Sequence, residues 1–77
     1  MNRFAHVKGY AELSQAQQEQ FEQIYTRHMQ SFGTQKQQAY ATQRMRRVQW
    51  VANERCFKVY FDNGDWWHYD PLDGSWY

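Results

Sequence analysis

An Asn-Gly pair, Asn63-Gly64, lies between two short runs dense in β-branched and aromatic residues, RCFKVYF and DWWHY. Asn-Gly is favoured in a two-residue type I′ turn because both central positions need φ > 0, and that turn folds its flanks into an antiparallel hairpin. A third run, VQWVA, lies upstream across Asn53-Glu54, a weaker two-residue turn because glutamate tolerates φ > 0 poorly. Downstream, Pro71 and Gly74 in DPLDG close the unit and leave Ser75, Trp76 and Tyr77 as a short strand or tail. The chain from roughly residue 46 onward therefore reads as a β-meander of three to four strands.

The first half has a different period. Ser14 followed by Gln17 is a capping-box pattern, and Phe21, Ile24, Tyr25, His28 and Phe32 then recur at the spacing of one helix face. Gly33 supplies a residue able to take φ > 0 beyond the end, so the spacing predicts a helix over roughly residues 15 to 32. Thr34 with Gln37 repeats the capping box, and Ala39, Tyr40 and Ala41 continue a shorter helix over roughly 35 to 44. Residues 1 to about 12 have no sustained period and read as a loop or extended segment broken at Gly9, from which Phe4, Val7 and Tyr10 can dock. Eleven glutamines, nearly all in the first half, are interleaved with apolar residues at helical spacing and read as a solvated helix face.

The expected fold is one α+β domain spanning residues 1–77, its two N-terminal helices packed on one face of the antiparallel meander. A chain this short buries only about 60% of its unfolded surface, so its four Trp, six Tyr and five Phe must supply most of the core. Cys56 is the single cysteine, which rules out an internal disulfide or a CxxC motif and suits a reducing, cytoplasmic setting. No run of about 18 apolar residues is present, and MNRFAHVKGYAEL has neither an apolar signal core nor a small-residue cleavage site, so no membrane role is expected.

Two-residue turns at both hairpins would set Phe61 opposite Trp66, Tyr60 opposite Trp67, Val59 opposite both His68 and Val48, and Trp50 opposite Phe57. One face then collects Val48, Trp50, Ala52, Phe57, Val59, Phe61, Trp66 and His68 as the core side. The other collects Arg47, Gln49, Val51, Cys56, Lys58, Tyr60, Trp67 and Tyr69. The candidate binding residues are Arg47, Lys58, Tyr60, Trp67 and Tyr69, because rings offer stacking area at low entropy cost and cations offer cation–π contact or anion pairing. The same aromatic rows stabilise a hairpin whether or not anything binds, and the N-terminal segment could cover them.

Catalytic and cofactor chemistry has no foothold. His6, His28, His68 and Cys56 lack any HxxxH or CxxC spacing, so no metal site is expected. Asp62, Asp65, Asp70 and Asp73 sit at turns, where aspartate bonds the local backbone, and DNGD lacks the remaining EF-hand spacing. The glycines are isolated, which excludes a phosphate loop, and no nucleophile motif surrounds Ser14, Ser31, Ser75 or Cys56. Neither enzyme activity nor a cofactor is expected.

The leading expectation is a protein-interaction module, a regulator or inhibitor of the size of bacterial or phage accessory proteins, with self-association left open. Single-stranded nucleic acid is the alternative, since Tyr60, Trp67 and Tyr69 beside Arg47 and Lys58 could stack bases and hold phosphates. Against it stand four nearby aspartates, a formal charge of +1 and no aromatic RNP pattern. A third reading starts from Asn63-Gly64, Trp66, Trp67, Tyr69 and Asp73-Gly74, which resemble one unit of the choline- and glucan-binding repeats. That resemblance implies carbohydrate or cell-wall binding, with ligand sites formed between successive repeats.

Overall fold

A computed structural model describes residues 3–77, so residues 1 and 2 of the expected N-terminal segment lie outside the described residues. Ser14 opens the first helix as its capping box requires. The Gln17 N–H donates to the Ser14 hydroxyl at 3.1 Å, and the Ser14 N–H donates to Gln17 Oε1 at 2.9 Å. Helix α1, Gln15–Gln30, buries Phe21, Ile24, Tyr25 and His28 along one stripe.

The junction after α1 differs from the expected one. Gly33 is extended, at φ −71 and ψ 169, and serves as the N-cap of helix α2, Thr34–Ala39. Thr34 is therefore the first helical residue, and Gln37 closes no capping box. Its Nε2 turns back to donate to the carbonyls of Met29 and Phe32 at 2.9 and 3.1 Å. The last carbonyls of a helix lack partners of their own, so the side chain expected to start α2 instead finishes α1. Helix α2 also stops at Ala39, well before residue 44, because Tyr40 leaves the helical region. Its ring packs edge-on to Phe61 and Trp67, and its hydroxyl donates to Asp65. A 3-10 turn, Thr42–Arg44, then leads into the sheet.

Four strands follow in antiparallel order: β1 Met45–Val51, β2 Cys56–Phe61, β3 Trp66–Asp70 and β4 Ser75–Trp76. The β1–β2 register is the expected one, Val48 opposite Val59 and Trp50 opposite Phe57, with an irregularity between Met45 and Arg47. Its turn is longer than two residues, running over 52–55 with Arg55 at φ 54.

The β2–β3 register is one residue away from expectation. Val59 stands opposite Trp67 and Tyr60 opposite Trp66. The Gly64 N–H donates to the Phe61 carbonyl at 3.2 Å and the Phe61 N–H to the Asp65 carbonyl at 3.0 Å. Gly64 takes φ 87 while Asn63 does not have positive φ, so the loop has three residues and ends on a left-handed glycine. Side chains alternate between faces, so this one-residue slip turns over every side chain of β3. Trp67 and Tyr69 join the core side, and Trp66 and His68 leave it.

The core gathers Phe57, Val59, Phe61, Val48, Met45 and Tyr69 from the sheet with Phe21, Ile24 and Tyr25 from α1. The N-terminal segment completes it. Phe4, Val7, Tyr10 and Leu13 are all buried there, the Phe4 ring meeting Phe21 and Tyr25 edge-on at 5.5 Å. Lys8 forms a parallel bridge to Arg47, its N–H donating to the Arg46 carbonyl and its carbonyl accepting from the Val48 N–H. At the next position a side chain cannot fit, since a Cβ on Gly9 would lie 2.2 Å from the Val48 carbonyl oxygen.

Candidate functional site

With α1 and the N-terminal segment burying their residues on one side, and α2 burying none, the other face of the sheet stays open. It carries Arg47, Gln49 and Val51 from β1, Cys56, Lys58 and Tyr60 from β2, Trp66, His68 and Asp70 from β3, and Ser75 from β4. Tyr77 extends the fourth strand by exchanging two backbone hydrogen bonds with His68, at 2.8 and 3.0 Å.

The rings on this face form a continuous ladder. Tyr60 stacks on Trp66 at 6.0 Å and 22°, Trp66 meets His68 at 4.8 Å, and His68 stacks on Tyr77 at 4.5 Å and 2°. Arg47 lies over the Tyr60 ring at 6.0 Å and Lys58 over the Trp66 ring at 5.8 Å. Trp66 remains 49% exposed and Tyr77 63% exposed. Such cross-strand pairs hold the rings in place, because each fixes its neighbour's rotamer.

Charge on the face is partly neutralised. Lys58 pairs with Glu54 at 3.2 Å, which holds its ammonium above the usual lysine range, and His68 lies 3.9 Å from the same carboxylate. Arg44 and Arg46 both face Asp62, at 3.5 and 3.7 Å. Arg47 and its bridge partner Lys8 have no ion pair among the described residues. Cys56 is 1% exposed, touched by the Tyr77 hydroxyl, and burial pushes its thiol upward. That disfavours the thiolate a nucleophile needs.

Of the five residues expected to bind, the structure brings Arg47, Lys58 and Tyr60 together on this face. Trp67 and Tyr69 are on the other side. Tyr69 is wholly buried, its ring against Phe21 at 5.6 Å, and Trp67 packs on His28 at 4.4 Å. Their places are taken by Trp66, His68 and Tyr77. One sequence signal could have found them: WWHYD alternates two ways, and only one of them keeps His68 out of the core.

The histidines are dispersed. His6 meets the Thr42 carbonyl, His68 sits in the ladder and His28 is fully buried. No group of three or more metal-ligating side chains converges among the described residues. Nor is any helix among them long and apolar enough to cross a membrane. In comparisons with known proteins, no family model matches the chain, and neither a curated protein nor a solved structure matches it.

Proposed function

We propose that this chain is a non-enzymatic protein-interaction module, a small regulator or inhibitor, whose protein partner docks on the open sheet face with Trp66 at its centre. One observation carries the reading: Tyr60, Trp66, His68 and Tyr77 stand in consecutive ring contact on a face that no helix uses for its buried residues. Rings already braced against one another lose little freedom when a partner closes over them. Trp and Tyr beside Arg are also the side chains that most often dominate interface energy. Arg47 and Lys8 at the β1 edge, without an ion pair among the described residues, favour a partner segment that brings carboxylates to that side. A cytoplasmic setting fits the lone buried thiol.

Single-stranded nucleic acid is the runner-up, supported by the same cations. Base stacking needs free ring faces, and one face each of Tyr60 and Trp66, and of His68 and Tyr77, is already taken by its neighbour. Lys58, Arg44 and Arg46 are already turned to carboxylates. A protein partner, which can use ring edges and a mixed-charge rim, fits better.

Capture from a lysate of the source cell tests this with four tagged proteins: wild type, Trp66→Ala, Arg47→Glu and, as a control on the exposed side of α1, Gln23→Ala. The expected result is one protein held by wild type and Gln23→Ala and lost from the two face variants. A partner retained by all four, or salt-sensitive binding of a fluorescent single-stranded oligonucleotide, overturns the reading.

A further inference from the structure

Strand β4 joins two otherwise separate parts of the molecule. Its Trp76 ring lies on the imidazole of His28 at 5.1 Å and 27° on the core side, and the next residue, Tyr77, stacks on His68 on the open face. The His28 ring is fully buried and enclosed by Phe32, Tyr40, Trp67, Tyr69 and Trp76. Its Nδ1 lies 2.7 Å from the Tyr69 hydroxyl, while its Nε2 has no hydrogen-bond partner among the described residues; Trp67 Nε1 is likewise buried and without a partner among them.

A neutral imidazole can sit in such a box, but an imidazolium must donate from both nitrogens and has no acceptor for the second proton among the described residues. The groups around it offer no compensation. Trp67 and Tyr69 face it from β3, Trp76 from β4, Tyr40 from the end of α2 and Phe32 from beyond α1, and the Tyr40 hydroxyl is already given to Asp65. Asp70 is on the opposite face of β3, and the neighbouring Arg27 is exposed. Cation–π attraction from the rings offsets part of the burial cost of the charge, but the second N–H is left without an acceptor and the ion without a counter-charge among the described residues. Desolvation wins. The part that yields is the least anchored, and β4 is a two-residue strand paired to β3 alone.

We propose that His28 is a proton-sensitive latch on β4: its protonation expels Trp76 from the aromatic box, β4 leaves β3, and Tyr77 is withdrawn from the open face. The consequence for docking rests on the reading of that face given above, but the release itself occurs in the free protein. Nitrogen-15 NMR of the uncomplexed chain, titrated from neutral pH into acid, measures it. The amides of Trp76 and Tyr77 should shift and lose exchange protection with the midpoint of the His28 ring, while those of Phe57 and Val59 in β2 keep theirs. Because His68 also touches Tyr77, the same transition should persist in His68→Gln and disappear in His28→Phe. If His28→Phe fails to fold, the wild-type and His68→Gln titrations decide alone. Three results overturn the latch: Trp76 and Tyr77 unmoved through the His28 titration, a transition that follows His68, or loss of the β2 amides at the same midpoint. Release seen by NMR with no partner for the face leaves the latch intact and removes only the docking reading.

Discussion

The Tyr69 hydroxyl and Nδ1 of His28 meet at 2.7 Å between β3 and α1, in a part of the core otherwise made of rings. Burial pushes the His28 imidazole down from its ordinary 6.5 to about 4. The folded state therefore favours the neutral ring, and in the window from 6.5 down to 4 the unfolded chain binds the extra proton. The contribution is complete above the upper limit and is lost as pH falls through the window, by about 1.4 kcal/mol per pH unit and about 3 kcal/mol in all. Urea unfolding at pH 7.5, 6 and 5 should show this decline, and His28→Phe should flatten it. An equal slope in the variant would mean that another group sets the acid sensitivity.

Gly9 and Gly64 separate two costs of a side chain. Both have strongly positive φ, but a Cβ on Gly9 meets the Val48 carbonyl oxygen at 2.2 Å whereas one on Gly64 meets nothing within 4 Å. Gly64→Ala should cost about 1 to 2 kcal/mol from backbone strain alone. Gly9→Ala adds a clash with the β1 backbone and should cost clearly more, seen as a lower thermal midpoint. Equal midpoints would mean that the N-terminal segment does not lie against Val48.

Phe21 touches the rings of Phe4, Phe57 and Tyr69 at 5.5 to 5.7 Å, tying together the N-terminal segment, β2 and β3. Phe21→Ala should cost about 3 to 5 kcal/mol by leaving a cavity no single element can fill. Ile24→Ala should cost about 2 to 5, and the exposed Gln20→Ala under about 0.5. Chemical denaturation of the three variants checks the contrast, and similar small values at all three would remove α1 from the sheet.

Much of this was legible from residue pattern, because local chemistry fixed it. The Ser14 capping box, the Phe21/Ile24/Tyr25/His28 stripe, the β1–β2 register and the α+β arrangement all follow from neighbouring residues. What was not legible depended on contacts made elsewhere. Gln37 caps α1 rather than α2 because Met29 and Phe32 need a donor. Asn-Gly permits a two-residue turn but does not require one, and the three-residue alternative places Trp67 and Tyr69 around His28 while freeing Trp66. The turn residues themselves do not announce that choice; only the alternation of WWHYD around His68 bears on it. It is decided by the fit against Phe21 and His28 of α1 and against Phe32 and Tyr40, so residue pattern alone sets Trp67 and Tyr69 on the face that Trp66 and His68 occupy.

The two adjacent tryptophans should accordingly respond in opposite ways. Trp67→Ala removes a ring packed on His28, Phe32 and Tyr40 and should lower stability by about 3 kcal/mol. Trp66→Ala, on the open face, should change it by less than about 1. Urea midpoints give the comparison, and the reverse order would restore the two-residue turn.

The most direct measurement is a calorimetric titration of the captured protein partner against wild type and Trp66→Ala, with circular dichroism confirming that both are folded. A central interface tryptophan cut to alanine typically costs 2 kcal/mol or more, so affinity should fall by about thirtyfold or beyond. Unchanged affinity in a folded Trp66→Ala would contradict the assignment of this face as the docking surface.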